Sequence, residues 1–309
     1  MALSQVKNPK LKEVIEDIKK YWKDSTRPAL TSFSCEAVGG NLDIAENAGL
    51  MFTLASCGFG LHDDILDRSS HKHLRMTILG LHGIDCALLA GDLFIFKSWT
   101  VGSEMIRSGV DPLRVADVMK AYGNLSVEIC EAELMDTLCR RKLDLDIEYY
   151  KNMLKQEMAE MEACSRIGAM LGSGLPKEIE ALSNFGRQFG FISRLGDDME
   201  DCLNVKGDLL HRIKYESVPL PLLYAAKSSS ERYSKIRNII KKKNIGPLDA
   251  ESVVEFCFES EAFEYTRLLA AENRAEAICN LESLVSSTSL NVLLFMLDKA
   301  YDRVVHLCV

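Results

Sequence analysis

Asp63-Asp64-Ile65-Leu66-Asp67 and Asp197-Asp198-Met199-Glu200-Asp201 repeat one acidic spacing at two distant places in the chain. On a helix, positions i, i+1 and i+4 share a surface patch, so each segment aims its aspartates at a single point. The first segment follows the apolar run Leu50-Met51-Phe52-Thr53-Leu54-Ala55, which places it at the inner end of a buried helix. Carboxylates gathered in this way repel one another and call for a cation between them. Oxygen donors without thiolate or imidazole partners suit a hard divalent ion such as Mg²⁺, which keeps several waters and takes its other ligands from a substrate's phosphates. Asp63, Asp64, Asp67, Asp197, Asp198 and Asp201 are thus the expected metal ligands and the expected catalytic residues. His62 is expected to orient or pack, because imidazole is a poor ligand for Mg²⁺.

The elements that must hold these segments are helices. Leu11, Val14, Ile15, Ile18 and Trp22 repeat with the period of an amphipathic helix, and similar periodicity returns along most of the chain. Turn signals fall at Gly39-Gly40-Asn41, at Gly109 to Pro112, at Gly172 to Pro176 and at Gly246-Pro247. Between them the pattern predicts helices over residues 8–22, 28–38, 43–67, 83–107, 112–140, 147–173, 177–205, 218–228, 231–242, 249–272 and 289–307. Strand signals are nearly absent, so the fold class is all-α.

The chain has 309 residues, 47% of them apolar, enough for a substantial core, and no linker divides it. A single domain spanning 1–309 is expected. A net charge of −8 argues against nucleic acid as a partner, since tracking a phosphate backbone needs a clustered basic face. Ten cysteines show no zinc-ligand spacing and read as small core residues of a reducing compartment. The first twenty residues are rich in Lys and Glu, and no apolar stretch of about 18 residues is evident, so neither export nor a membrane span is expected. The expected location is the cytoplasm.

Five ordered motifs resemble the trans-polyprenyl diphosphate synthase family of class I isoprenoid synthases. Leu61 to Asp67 is similar to its first aspartate-rich motif, and Ala90-Gly91-Asp92-Leu93 to the Ala-Gly-Asp of the next helix. Thr26-Arg27-Pro28 resembles its Arg-Pro helix start, Gly190 to Asp201 its second aspartate motif, and Pro219 to Ala225 the segment after it. The resemblance runs from about residue 10 to 305. It implies the isoprenoid synthase fold, a large bundle of about ten or more helices around a central cavity. It implies, too, that about three Mg²⁺ ions hold an allylic prenyl diphosphate, which ionises and condenses with isopentenyl diphosphate. By the same resemblance the protein is a medium-chain polyprenyl diphosphate synthase and a homodimer. Arg27, Lys72, His73, Phe59, Gln156 and Arg194 would line the substrate site, and Asp92 would support the metal ligands.

The sequence departs from that family at cationic positions. Asp24 and Ser25 stand where the family has Lys and Arg, and Ser56 replaces a helical His. Lys72-His73 stands for an Arg pair, Gln156-Glu157 for Lys-Thr, and Ser217 for a Lys before the late proline. Arg75, Arg194, Lys206, Arg212 and Lys214 are near enough in sequence to compensate. These losses leave two alternatives open. One is a class I terpene synthase, or a prenyltransferase with a different acceptor, for which Glu200, Asn204 and Asp208 have the metal-triad spacing. The other is a non-catalytic regulatory subunit, although such subunits lose aspartates first and all six persist here. Phe59, one turn before Asp63, is expected to limit product length.

Overall fold

The computed structural model describes residues 5–72, 75–205 and 207–307. Within them are fifteen α-helices and one short hairpin, so the chain is all-α. The helices are α1 Pro9–Tyr21, α2 Thr26–Ala37, α3 Leu42–Leu66, α4 Ile78–His82, α5 Ile84–Arg107, α6 Pro112–Cys139, α7 Ile147–Glu157 and α8 Ala159–Leu171. They continue as α9 Pro176–Leu203, α10 Asp208–Tyr215, α11 Leu220–Lys227, α12 Ser230–Ile240, α13 Pro247–Glu259, α14 Ala262–Leu281 and α15 Thr288–His306. The hairpin pairs β1 (His71–Lys72) antiparallel to β2 (Arg75–Met76), with Lys72 opposite Arg75.

Local chemistry explains most of the starts and stops. Asn8, Asn41, Asp146, Ser229 and Ser287 each accept a backbone N–H in the first turn of the following helix. Four helices begin on proline, whose fixed φ suits a first turn that needs no donor. Two expected helices are broken. The span 147–173 divides at Met158, whose N–H turns back to the Gln156 carbonyl. The span 249–272 divides at Glu261, which takes a left-handed φ of 58°. Apolar periodicity runs across both breaks because the faces before and after still need burial. The additional helices α4 and α10 have only 5 and 8 residues, too few for the pattern to declare them.

Two compact units make up the chain. The first comprises Met1–Gly123 and Cys164–Ile179, the second Asn124–Ala163 and Glu180–Val309. In the first unit α3 is the central helix, flanked by α2 and α5. Its contact with α5 is close because both helices present glycine at the crossing. A Cβ on Gly58 would lie 2.8 Å from the Gly91 carbonyl oxygen, and one on Gly91 would lie 2.5 Å from the His62 ring. Phe52, Trp99 and Tyr122 meet edge to face nearby, and the Tyr122 hydroxyl shares a 2.6 Å hydrogen bond with Ser98.

By length and composition α3 could cross a membrane, contrary to the sequence expectation, but 61% of its apolar window is buried inside the protein, as in a core helix. The cysteines also differ in part from expectation. Cys35, Cys57, Cys139, Cys164, Cys202 and Cys257 are buried, whereas Cys130 and Cys279 are exposed.

In the second unit α9 carries fifteen buried residues. It packs closely on the α7–α8 junction, where a Cβ on Gly190 would lie 2.8 Å from Met158 Cβ. The Tyr150 hydroxyl donates 2.5 Å to the Val218 carbonyl, tying α7 to the start of α11. Arg274 grips Asp298 at 2.6 and 2.9 Å, tying α14 to α15.

Candidate active site

In the first unit α3 ends inside its acidic segment. Asp63 and Asp64 are in the last helical turn, Asp67 is the C-cap, and Arg68 takes a left-handed φ of 57° that turns the chain away. The hairpin then brings Lys72 back over the helix end. Its Nζ is 3.2 Å from Asp63 Oδ2 and 2.8 Å from Asp64 Oδ1. Burial lowers the Lys72 pKa, but the Asp63 and Asp64 carboxylates outweigh it and hold the ammonium above its ordinary value. Asp64 is buried and Asp63 half-buried. The α3–α5 crossing sets the neighbouring pair: His62 Nε2 is 3.4 Å from Asp92 Oδ1 and 3.3 Å from the Leu88 carbonyl. His62, the residue before Asp63, thus joins the end of α3 to Asp92 on α5.

The second unit treats its acidic segment differently. Asp198 is fully buried, and its oxygens accept from Arg194 Nη1 at 2.8 Å, Arg212 Nη2 at 3.1 Å and the Leu220 backbone N–H at 2.8 Å. Arg212, itself buried on α10, also donates 2.9 Å to Asp201. Burial pushes the Asp201 carboxyl up to about 6, against the pull of Arg212. Arg194 donates to Glu157 as well, at 2.9 Å, and burial pushes that carboxyl up to about 7. Asp197, half exposed, meets Arg303 of α15 at 2.7 Å. The same guanidinium forks onto both carboxylate oxygens of Glu200, through Nε at 2.6 Å and through Nη2.

Each motif is therefore already paired with cations from its own unit. Among the described residues, no group of three or more His, Cys, Asp or Glu side chains stands in metal-binding geometry. The donors nonetheless suit Mg²⁺: they are hard carboxylate oxygens, and each motif draws in positive charge.

The remaining expected site residues divide. Arg27 opens α2, but Asp24 Oδ2 holds its Nη1 at 3.2 Å while Asp24 Oδ1 accepts the Thr26 and Arg27 N–H groups at 3.1 and 3.3 Å. Phe59 is half-buried one turn before Asp63, and Gln156 is half-buried on α7 beside Glu157. Arg194 is bound to carboxylates as above. His73 lies outside the described residues, as does Lys206.

The substituted cation positions have structural partners instead. Ser217 is buried with its Oγ 3.1 Å from the Tyr150 hydroxyl, and Ser56 is buried in α3. Arg75 lies over the Tyr21 ring at 5.1 Å to its centroid. The Glu200, Asn204 and Asp208 spacing does not form one helical face, because α9 stops at Leu203. Asn204 donates 2.7 Å to Asp208, which starts α10.

Sequence reasoning missed Arg303 and Tyr150. Arg303 is about a hundred residues from Asp197 and belongs to no motif, so only the docking of α15 reveals it. Tyr150 sits in an ordinary amphipathic turn.

A family model described as polyprenyl synthetase matches residues 8–257. The chain is 28% identical to the short chain isoprenyl diphosphate synthase of Methanothermobacter thermautotrophicus, over 90% of this chain and 85% of that protein. It is also 28% identical to the octaprenyl diphosphate synthase of Escherichia coli, with the same coverage. In structure it resembles the geranylgeranyl pyrophosphate synthetase of the archaeon Geoglobus acetivorans, with a TM-score of 0.84 at 23% identity, covering 97% and 94% of the two chains. That likeness establishes the fold as the isoprenoid synthase type.

Proposed function

We propose, for a chain that belongs to the polyprenyl synthetase family, that it is a Mg²⁺-dependent prenyltransferase ionising an allylic prenyl diphosphate and condensing it with isopentenyl diphosphate. The observation that carries this reading is the survival of all six aspartates, in a chain whose family match covers both motifs. The whole chain, 1–309, is taken as one catalytic domain.

In this reading Asp63, Asp64, Asp67, Asp197, Asp198 and Asp201 serve the metal motifs, and Asp92 supports the first through His62. Bound Mg²⁺ supplies the positive charge that neutralises a departing diphosphate. The chain's own contribution is to orient and to hold charge. Lys72, poised over Asp63 and Asp64, offers a cation to a diphosphate, as do Arg194, Arg27 and His73, and Gln156 offers an amide N–H. Apolar walls keep water from an allylic cation. No side-chain nucleophile is needed.

Geometry separates Asp198 from its neighbours. Its oxygens accept from three internal donors, two on Oδ1 and one on Oδ2, which supports an added role in fixing the end of α9, whereas half-exposed Asp197 keeps an oxygen face toward solvent.

One observation favours the alternative acceptor. Asp24 places a carboxylate on Arg27 and on the first N–H groups of α2, where a second diphosphate would otherwise find positive charge. Incubation with Mg²⁺ and labelled allylic diphosphates, with and without isopentenyl diphosphate, decides between them. Longer diphosphates made only with isopentenyl diphosphate support chain elongation. Hydrocarbons or alcohols made without it support a terpene synthase, and no consumption of any allylic substrate supports a regulatory subunit.

Phe59 is proposed to restrict the product to medium length. Phe59→Ala is expected to lengthen it, and an unchanged product profile discards that role. Location in the cytoplasm and a homodimer complete the proposal. The dimer is supported by the outward apolar side chains of α5, Ile84, Leu88, Leu89, Phe96 and Ile106, all exposed on this chain.

A further inference from the structure

The pairing of Arg303 with the second aspartate motif is the feature the proposed reaction does not use. Arg303 lies in the last turn of α15. Its stem passes over Gly196, where a Cβ would come within 3.5 Å of Arg303 Cδ. Its guanidinium then reaches Asp197 and Glu200, which are one residue and one turn further along α9. The three side chains are 38%, 50% and 41% exposed, so the guanidinium can leave this place for solvent without a core opening. It differs in this from Arg212, which is buried on Asp198 and Asp201.

A guanidinium and a divalent cation cannot share the same carboxylate face. Both are held by the negative charge of Asp197, and an internal occupant lowers the apparent affinity of an external one in proportion to its own occupancy. We propose that Arg303 is a tethered counter-ion that competes with the divalent cation for Asp197, so that loading the second motif with metal and freeing the end of α15 are one coupled event. The inference rests on the metal reading of Asp197 given above. Where Arg303 holds Asp197 and Glu200 it offsets part of their charge and pins α15 to α9. When metal arrives, Arg303 yields Asp197 and is left as a mobile cation beside it, in a chain that lacks several of its family's fixed ones.

Calorimetric titration of the full-length protein with Mg²⁺ alone, together with hydrogen exchange of residues 298–307, tests this. Arg303→Gln is expected to tighten Mg²⁺ binding about fivefold, and Arg303→Lys, which keeps the charge, to change it by less than about twofold. Arg274→Gln is the control, since it breaks the α14–α15 pair with Asp298 and leaves Asp197 untouched; it is expected to leave Mg²⁺ affinity unchanged. In the wild type, Mg²⁺ is expected to speed exchange in 298–307, and in Arg303→Gln that response is expected to be absent. If Asp197→Asn weakens Mg²⁺ binding but Arg303→Gln leaves it unchanged, or Arg274→Gln tightens it equally, the counter-ion role is overturned and the metal reading stands. If Asp197→Asn leaves Mg²⁺ binding unaltered, both fall.

Discussion

Arg212 Nη2 lies 3.1 Å from Asp198 Oδ1 while its Nη1 lies 2.9 Å from Asp201 Oδ2, so one buried guanidinium from α10 clasps two carboxylates one turn apart on α9. Removing one partner of a buried ion pair leaves uncompensated charge, which costs more than the pair itself contributes. Arg212→Met is expected to lower the unfolding free energy by about 3–5 kcal/mol in urea titrations. A loss below about 1 kcal/mol contradicts a structural clasp.

Glu157 links this network to α7. Burial pushes its carboxyl up to about 7 from an ordinary 4.5, with Arg194 pulling the other way. A carboxyl whose folded pKa lies above its unfolded one takes up a proton on folding. Its contribution to stability is therefore complete below about 4.5 and lost as the pH rises through about 7. Subtracting the pH–stability curve of Glu157→Gln from that of the wild type is expected to leave a component that falls over that window. A flat difference shows that Glu157 does not titrate this way.

The α3–α5 crossing leaves no room at Gly58. A methyl group there would meet Ile95 Cγ1 at 2.6 Å and the Gly91 carbonyl oxygen at 2.8 Å, and backbone gives way less readily than a side-chain tip. Gly58→Ala is expected to cost about 1–3 kcal/mol in denaturant unfolding. Prenyl transfer should slow as well, because the same crossing holds His62 to Asp92. Unchanged stability and rate would show that the two helices can separate freely.

Lys72 gives the first motif its cation, at 2.8 Å from Asp64. A charge-assisted hydrogen bond to a diphosphate is worth about 1.5–3 kcal/mol. Lys72→Gln is accordingly expected to reduce kcat/KM for the allylic diphosphate by about ten- to hundredfold. Steady-state kinetics at fixed free Mg²⁺ measure it, and a change within about twofold removes Lys72 from the substrate site.

The all-α class, most helix positions and the two aspartate segments were legible in the order of residues alone. Helix periodicity, proline and asparagine starts and i, i+1, i+4 spacing are local properties, written within one or two turns. Its motifs also carried the family, because ordered short segments survive where overall identity does not. Breaks that depend on a single backbone angle, such as left-handed Glu261, left no mark, since the apolar pattern continues through them. What the charges do emerged from packing. Asp198 and Asp197 are adjacent and chemically identical, yet one is sealed by Arg194, Arg212 and the Leu220 N–H while the other faces solvent beneath Arg303. Asp24 and Arg27 read as a lost cation and a kept one, and folding turns them into a pair. The reason is physical: an ionic partner is selected by distance and burial in space, and those are fixed by how helices distant in sequence pack.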